Sequence, residues 1–188
     1  MKYLFLFILF ASFNVSFAQK DEPKELISGD FKIVDSELIW SHVFEVPDKS
    51  KEAIKQDLLQ FYKMSNLFEK IDTVSFGISL QSKLHKCNYK KYGGTLMNTA
   101  NVLANDEIQY NAFIYIKDGK YLCEVKNMSA MNTRGNYIND NIKKINFEEF
   151  VYNKKAHKWK GFHDYVFKPM NNEFLDYFEL KVVKEKDF

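Results

Sequence analysis

The sequence predicts an α+β domain in which an antiparallel sheet carries helices on one side. Three observations point there. Apolar periods follow one another as strand, helix, strand, hairpin and terminal helices; Asp118-Gly119 sits between two alternating runs; and the composition is that of a packed globular chain. With 46% hydrophobic and 28% charged residues among 188, the chain is neither disordered, nor collagen-like, nor a polytopic membrane protein. Two cysteines are too few for a small disulfide scaffold, so a hydrophobic core has to hold the structure together.

The first segment, MKYLFLFILFASFNVSFAQK, has Lys2, an apolar run from Tyr3 to Phe13, and the small residues Ser16 and Ala18 before a cleavage point. It reads as a secretory signal peptide over 1–18, so a periplasmic or extracellular location is expected. A bilayer span needs about 20 apolar residues, and Asn14, Ser16, Lys20 and Asp21 break this run. No integral span is therefore expected in the mature chain. Gln19 follows the proposed cut, where a lipoprotein would need Cys. Removing the first 18 of 188 residues leaves 170, a single-domain length. Residues 19–30, polar and containing Pro23, read as a flexible lead-in to a domain over 31–188.

From Leu38 to Val46, Leu38, Trp40, Phe44 and Val46 share one parity, which predicts a strand ended by Pro47. Asp48 and Ser50 supply caps for a helix, and Glu52 adds a negative charge near its start. Ile54, Leu58, Leu59, Phe61 and Tyr62 then recur at helical spacing, with Lys51, Lys55 and Gln60 on the far face. Val74, Phe76, Ile78 and Leu80 alternate with Ser75, Gly77, Ser79 and Gln81, the pattern of a half-buried strand. Gln81 to Asp106 has no sustained period and reads as an excursion with room for a short strand.

YNAFIYIKDGKYLCEVKN gives the strongest local signal, because Asp118-Gly119 is a preferred type I′ hairpin pair. That turn fixes the register. With Lys117 opposite Lys120, Ile116 faces Tyr121, Ile114 faces Cys123 and Ala112 faces Val125 on the core side. The other side pairs Tyr115 with Leu122 and Phe113 with Glu124, leaving aromatic surface for a helix, a partner or a ligand to cover. The polar stretch after Met131, through Arg134, Gly135 and Asn139, reads as a long loop. A short helix is expected in INFEEFVYNKK, and a second in NNEFLDYFELKVVKE, capped by Asn171 or Asn172 after Pro169 and burying Phe174, Phe178 and Val182.

An exported chain makes a Cys87–Cys123 disulfide a candidate, worth about 3 to 4 kcal/mol for a loop of this size. The alternative is a free Cys123 packed as a small hydrophobe on its strand.

Trp40-Ser41-His42-Val43-Phe44-Glu45-Val46-Pro47, followed by Ser50-Lys51 and the amphipathic helix, resembles a family of uncharacterised secreted bacterial proteins with a TBP-like fold. The resemblance continues through the strand near Phe76 and the KDGKY hairpin, and more loosely through Phe147 to Phe150. It implies a curved antiparallel sheet with helices on one face. It contributes no catalytic residues, and the excursion from Lys83 to Asp106 departs from the compact family core.

A TBP-like sheet brings minor-groove binding to mind, but a net charge of +2 lacks the field that neutralises phosphates. No nucleic acid is expected as a partner. His157 and His163, with Asp164, form the one His and carboxylate cluster in the sequence; their spacing of six fits no metal-binding helix face, and Lys155, Lys158 and Lys160 repel a cation. No metal or cofactor is expected. His42 reads as a hydrogen-bonded residue at a sheet edge, and His85 is isolated in sequence. Ser79 lacks the nucleophile-elbow glycines, Gly93-Gly94 lacks the P-loop lysine, and Glu148 and Glu149 diverge on a helix. The lysines at 83, 86, 90, 91 and at 154, 155, 158, 160 read as solvated faces.

The expectation is a non-enzymatic, exported binding or interaction module of the cell envelope. Its candidate surface is the aromatic sheet face with Phe113, Tyr115 and Leu122, and its partner an envelope protein or a small apolar ligand. The rival is an enzyme assembled in three dimensions from His157 or His163 with Glu148 or Asp164. A third reading is association through an edge strand.

Overall fold

The computed structural model describes residues 25–132 and 143–181. The signal-peptide reading of 1–18, most of the lead-in, Val182 and nearly all of the polar stretch after Met131 lie outside the described residues. The strands of the main sheet are β1 (Leu26–Ser28), β2 (Phe31–Val34), β3 (Glu37–Glu45), β4 (Phe68–Val74), β5 (Gly77–Ser82), β6 (Glu107–Lys117), β7 (Lys120–Asn132) and β8 (Lys143–Asn146). All neighbours are antiparallel in the order β1-β2-β3-β7-β6-β5-β4, and β8 pairs with the far end of β7. A separate ribbon joins β9 (Tyr152–Asn153) to β10 (Lys158–Trp159). The helices are α1 (Lys51–Ser65), α2 (Asn101–Asn105), α3 (Phe147–Val151) and α4 (Asp164–Phe178).

The hairpin register is the one its turn dictates. Ile116 faces Tyr121, Ile114 faces Cys123 and Ala112 faces Val125, all buried, while Tyr115 faces Leu122 and Phe113 faces Glu124 on the opposite side. Gly119 takes a positive φ of 73° but Asp118 does not, so the turn is not the type I′ expected, although it still sets Lys117 opposite Lys120. Further along, Asn127 at φ 53° forms a bulge where the register shifts between Gln109 and Asn111. β7 pairs with β3 before the bulge and with β8 after it.

The predicted strand and helix after residue 37 are present. Ser50 caps α1 through a hydrogen bond from the Ala53 N–H at 3.3 Å, and Ile54, Leu58 and Tyr62 are buried. The clean alternation around Phe76, however, is a hairpin and not one strand. Val74 ends β4, Ser75 and Phe76 turn, and Gly77 opens β5. Gly77 is needed there because a Cβ would come 2.0 Å from the Ile114 carbonyl oxygen. The apolar period survives across the turn by coincidence, since Val74 and Ile78 belong to opposite faces of a folded-back ribbon.

Two other expectations are corrected, and of the two cysteine readings the free one holds. The lead-in contains β1, whose Leu26 and Ile27 pair with Ile33 and Lys32, so ordered pairing begins before Phe31. The last helix starts at Asp164 and runs through Pro169, not after it. Proline removes the N–H that would reach the Tyr165 carbonyl, and the Ala100 N–H takes that acceptor at 3.2 Å. Finally, Cys87 and Cys123 are free and buried, with burial pushing both thiols up from their ordinary pKa.

The core lies between the sheet and α1, α3 and α4. Its largest members are aromatic: Phe31 stacks on Phe167 at 4.1 Å, Trp40 packs on Phe174 at 5.2 Å, and Tyr110 meets Phe174 edge-on at 5.0 Å. Polar tips bind α4 in place. The Trp40 indole donates to Asn171 at 2.8 Å, and the Tyr121 hydroxyl donates to the Phe178 carbonyl at 2.7 Å while accepting from the Leu180 N–H at 2.8 Å.

Candidate functional site

With the helices on one side, the other side of the central strands is open among the described residues. Its residues line up across neighbouring strands as Val43, Leu122, Tyr115 and Gly77, and beside them Ser41, Glu124, Phe113 and Ser79. Val43 is 48% exposed, and Phe113, Tyr115 and Leu122 are half-buried. The sequence-predicted residues therefore do share one face and lie side by side. Phe76, carried by the β4–β5 turn, stacks on Tyr115 with ring centroids 4.7 Å apart and lies 6.4 Å from Phe113. The apolar strip is thus Val43, Leu122, Tyr115, Phe76 and Phe113.

Charges frame the strip in pairs. Glu124 and Lys126 form an ion pair at 2.9 Å, and the Lys126 ammonium stands 5.9 Å from the Phe113 ring centre. Lys70 and Asp72 pair at 3.0 Å on the neighbouring edge strand. Between them is a shallow groove of about 190 Å³ lined by Lys70, Asp72, Ser79, Gln81, Asn111 and Phe113. An apolar strip bounded by amide and ion-pair groups can hold a partner's hydrophobic side chains while its polar rim fixes orientation.

No family model and no curated protein matches the sequence. Among solved structures, the chain is similar to a TBP-like protein from Parabacteroides distasonis ATCC 8503, with a TM-score of 0.52 and 18% identity over 78% of this chain and 93% of that one. The fold is TBP-like. A DUF4468 family protein from Bacteroides ovatus ATCC 8483 is also similar, with a TM-score of 0.48 and 17% identity over 80% of this chain and 86% of that one.

On the helix-covered side of the TBP-like sheet, the remaining candidates take separate places. His157 is exposed, with Nδ1 3.0 Å from the Tyr152 hydroxyl. His163 has Nδ1 2.7 Å from the Lys160 carbonyl, and its Nε2 stands 3.5 Å from Asp164. Glu148 is spoken for by the Leu38 N–H at 2.8 Å. The contact among the four is thus His163 with Asp164, its chain neighbour. Among the described residues, no three His, Cys, Asp or Glu side chains are grouped to hold a metal ion. His42 lies on the stretch of β3 beyond the end of β2, paired with β7 on one side only, and its Nδ1 is 3.0 Å from Asp30, as expected of a hydrogen-bonded residue at a sheet edge.

Sequence reasoning missed two features of this side. One is a buried clasp: Glu173 on α4 accepts from the Asn88 N–H at 2.8 Å and faces His85 Nε2 at 3.2 Å. The Cys87 thiol, pushed up by burial and then by the Glu173 charge, is held as a protonated hydrogen-bond donor and not as a nucleophile. The other is a cleft of about 410 Å³ between the β1–β2 turn and α4, where Asp30, Tyr92, Asp164, Lys168 and Asn171 converge beside Phe31 and Phe167. Both join residues more than 60 positions apart, and no local period in the chain announces such a meeting.

Proposed function

We propose that the protein is an exported, non-enzymatic binding module of the bacterial cell envelope, and that the open sheet face is its binding surface. The observation that carries this reading is the contiguous strip of Val43, Leu122, Tyr115, Phe76 and Phe113, which no helix covers among the described residues. Export is supported by the basic, apolar and small-residue order of the first 18 residues. The partner is an envelope protein or a small molecule with an apolar surface, because the strip offers ring faces and branched side chains at its centre and charge only at its rim.

The test is native mass spectrometry on protein recovered gently from its own envelope or culture fluid, with the Phe113→Ser/Tyr115→Ser double variant beside it. The expected result is a mature chain beginning at Gln19 that retains a stoichiometric added mass, lost in the variant while its circular dichroism is unchanged. A partner retained by the folded variant, or a variant that unfolds globally, overturns the assignment of the face. Protein found inside the cytoplasm with Met1 intact overturns export.

A further inference from the structure

The two edges of the sheet are finished differently. At one edge, β1 has only three residues, and the Trp159 indole N–H donates to its Ile27 carbonyl at 3.4 Å. At the other, β4 is seven residues long, and among the described residues nothing pairs with its outer side. An edge strand of that length is a template for another strand unless its side chains forbid it.

We propose that two copies of this chain pair antiparallel through β4, about a twofold axis at Ile71. The argument is the order of charges. Within β4, Lys70 and Asp72 flank Ile71 and share the open face, next to Gln81 and Ser79 on β5. Centring a twofold on Ile71 sets each Lys70 opposite the other copy's Asp72, twice over, and brings the two Ile71 side chains together on the helix-covered face. Moving the centre to Lys70 sets lysine against lysine, and moving it to Asp72 sets aspartate against aspartate. Only the Ile71 register is complementary.

Edge charges usually serve to repel a second strand, and they do so with a single sign, most often lysine. Here the signs are opposite and spaced two apart, so they attract in one register and repel in its neighbours. That arrangement selects a partner and an alignment. Lys70 and Asp72 currently pair with each other at 3.0 Å, with side chains 65% and 47% exposed, so the exchange for a partner across the twofold asks little of either side chain. The open faces of the two copies then adjoin, and their apolar strips lie on one continuous sheet.

The test is sedimentation equilibrium on the purified protein, with Lys70→Asp, Asp72→Lys and an equimolar mixture of the two. Dimerisation is expected in the native protein and weakened about tenfold or more in each variant alone, since each sets like charges opposite across the twofold. The mixture is expected to recover a heterodimer, because an all-acidic edge then meets an all-basic one. Circular dichroism checks that both variants fold, and β4 amide exchange in the native protein is expected to speed up on dilution. A native monomer at every concentration, a dimer indifferent to both reversals, or a mixture that stays monomeric overturns the proposal.

Discussion

Along β6 and β7, neighbouring residues meet opposite surroundings. Ile114, Ile116, Tyr121 and Cys123 lie under α1 and α4 and have almost no exposed surface, whereas Phe113, Tyr115 and Leu122, one step away on the same strands, stand on the open face. Both sets are apolar. What separates them is the parity fixed by the Asp118-Gly119 turn and the side on which the helices return. The difference teaches that apolar content places a residue in a sheet, while burial is decided by what the connections bring back over it. The two faces also differ in how tightly their rings are coupled. Phe174 packs against Phe31, Trp40, Tyr110 and Phe178, whereas Tyr115 has one stacking partner, Phe76.

Truncating one ring on each face is the strongest test of this contrast. Phe174→Ala should cost about 3 to 5 kcal/mol, because the site is fully buried among rings that cannot collapse into the gap. Tyr115→Ala should cost about 1 kcal/mol, the loss of one half-exposed stack. Urea unfolding of both variants checks the ratio. Equal losses would mean that the open face is covered after all and is part of the core.

The contrast was partly legible in the sequence. The register of β6 and β7 could be written down from one dipeptide, because a two-residue turn leaves a single alignment. β4 could not, since an edge strand carries charge on both sides of its apolar residues, and Glu69, Lys70 and Asp72 erase the period that marks a half-buried strand. Pro169 misplaced the start of α4 because its missing hydrogen bond is replaced by Ala100, a residue 69 positions earlier. The three binding-face residues emerged from parity alone, but Phe76 did not, because it sits in a turn that the alternation concealed. The Glu173 clasp left no signal, since its partners lie 85 and 88 positions away.

That clasp sharpens the comparison on the helix-covered side, where burial extends to a carboxylate. Glu173 is fully buried and satisfies the Asn88 N–H, the His85 ring and the Cys87 thiol at once. Glu173→Ala should destabilise by about 3 kcal/mol, because it strands those donors in the interior. Its structural readout is local: amide exchange at Asn88 should rise more than exchange in β6. A loss confined to a few tenths of a kcal/mol would show that the 83–88 segment is held by its own packing.

Gly77 tests the seam where both faces meet the β4–β5 turn. Gly77→Ala should cost about 2 to 3 kcal/mol, because the added Cβ would sit 2.0 Å from the Ile114 carbonyl oxygen and force β5 away from β6. The same movement would pull Phe76 from Tyr115 and disturb the open strip. Thermal unfolding, read together with the tyrosine fluorescence of the native state, checks both effects. An unchanged melting temperature would mean that β5 can shift freely.

The smallest expected effect comes from the solvent side of α4, one turn from Glu173. Asp176 pairs with Lys181 at 2.5 Å, with Lys91, and with the Tyr92 hydroxyl at 3.0 Å. Lys181 first, then Lys91 and Tyr92, hold its carboxyl down from the ordinary 3.8 to about 2. A depressed carboxylate contributes stability that is fully present above its unfolded pKa and is lost as pH falls through the folded one. The contribution should therefore fade between about pH 4 and pH 2, and because solvent screens the cluster it amounts to no more than about 1 kcal/mol. Asp176→Asn should lower stability at neutral pH by that amount and flatten the acid limb of a stability–pH curve over the same window. If the native and variant curves stay parallel down to pH 2, the ion cluster is ornamental, and α4 is held by its buried face alone.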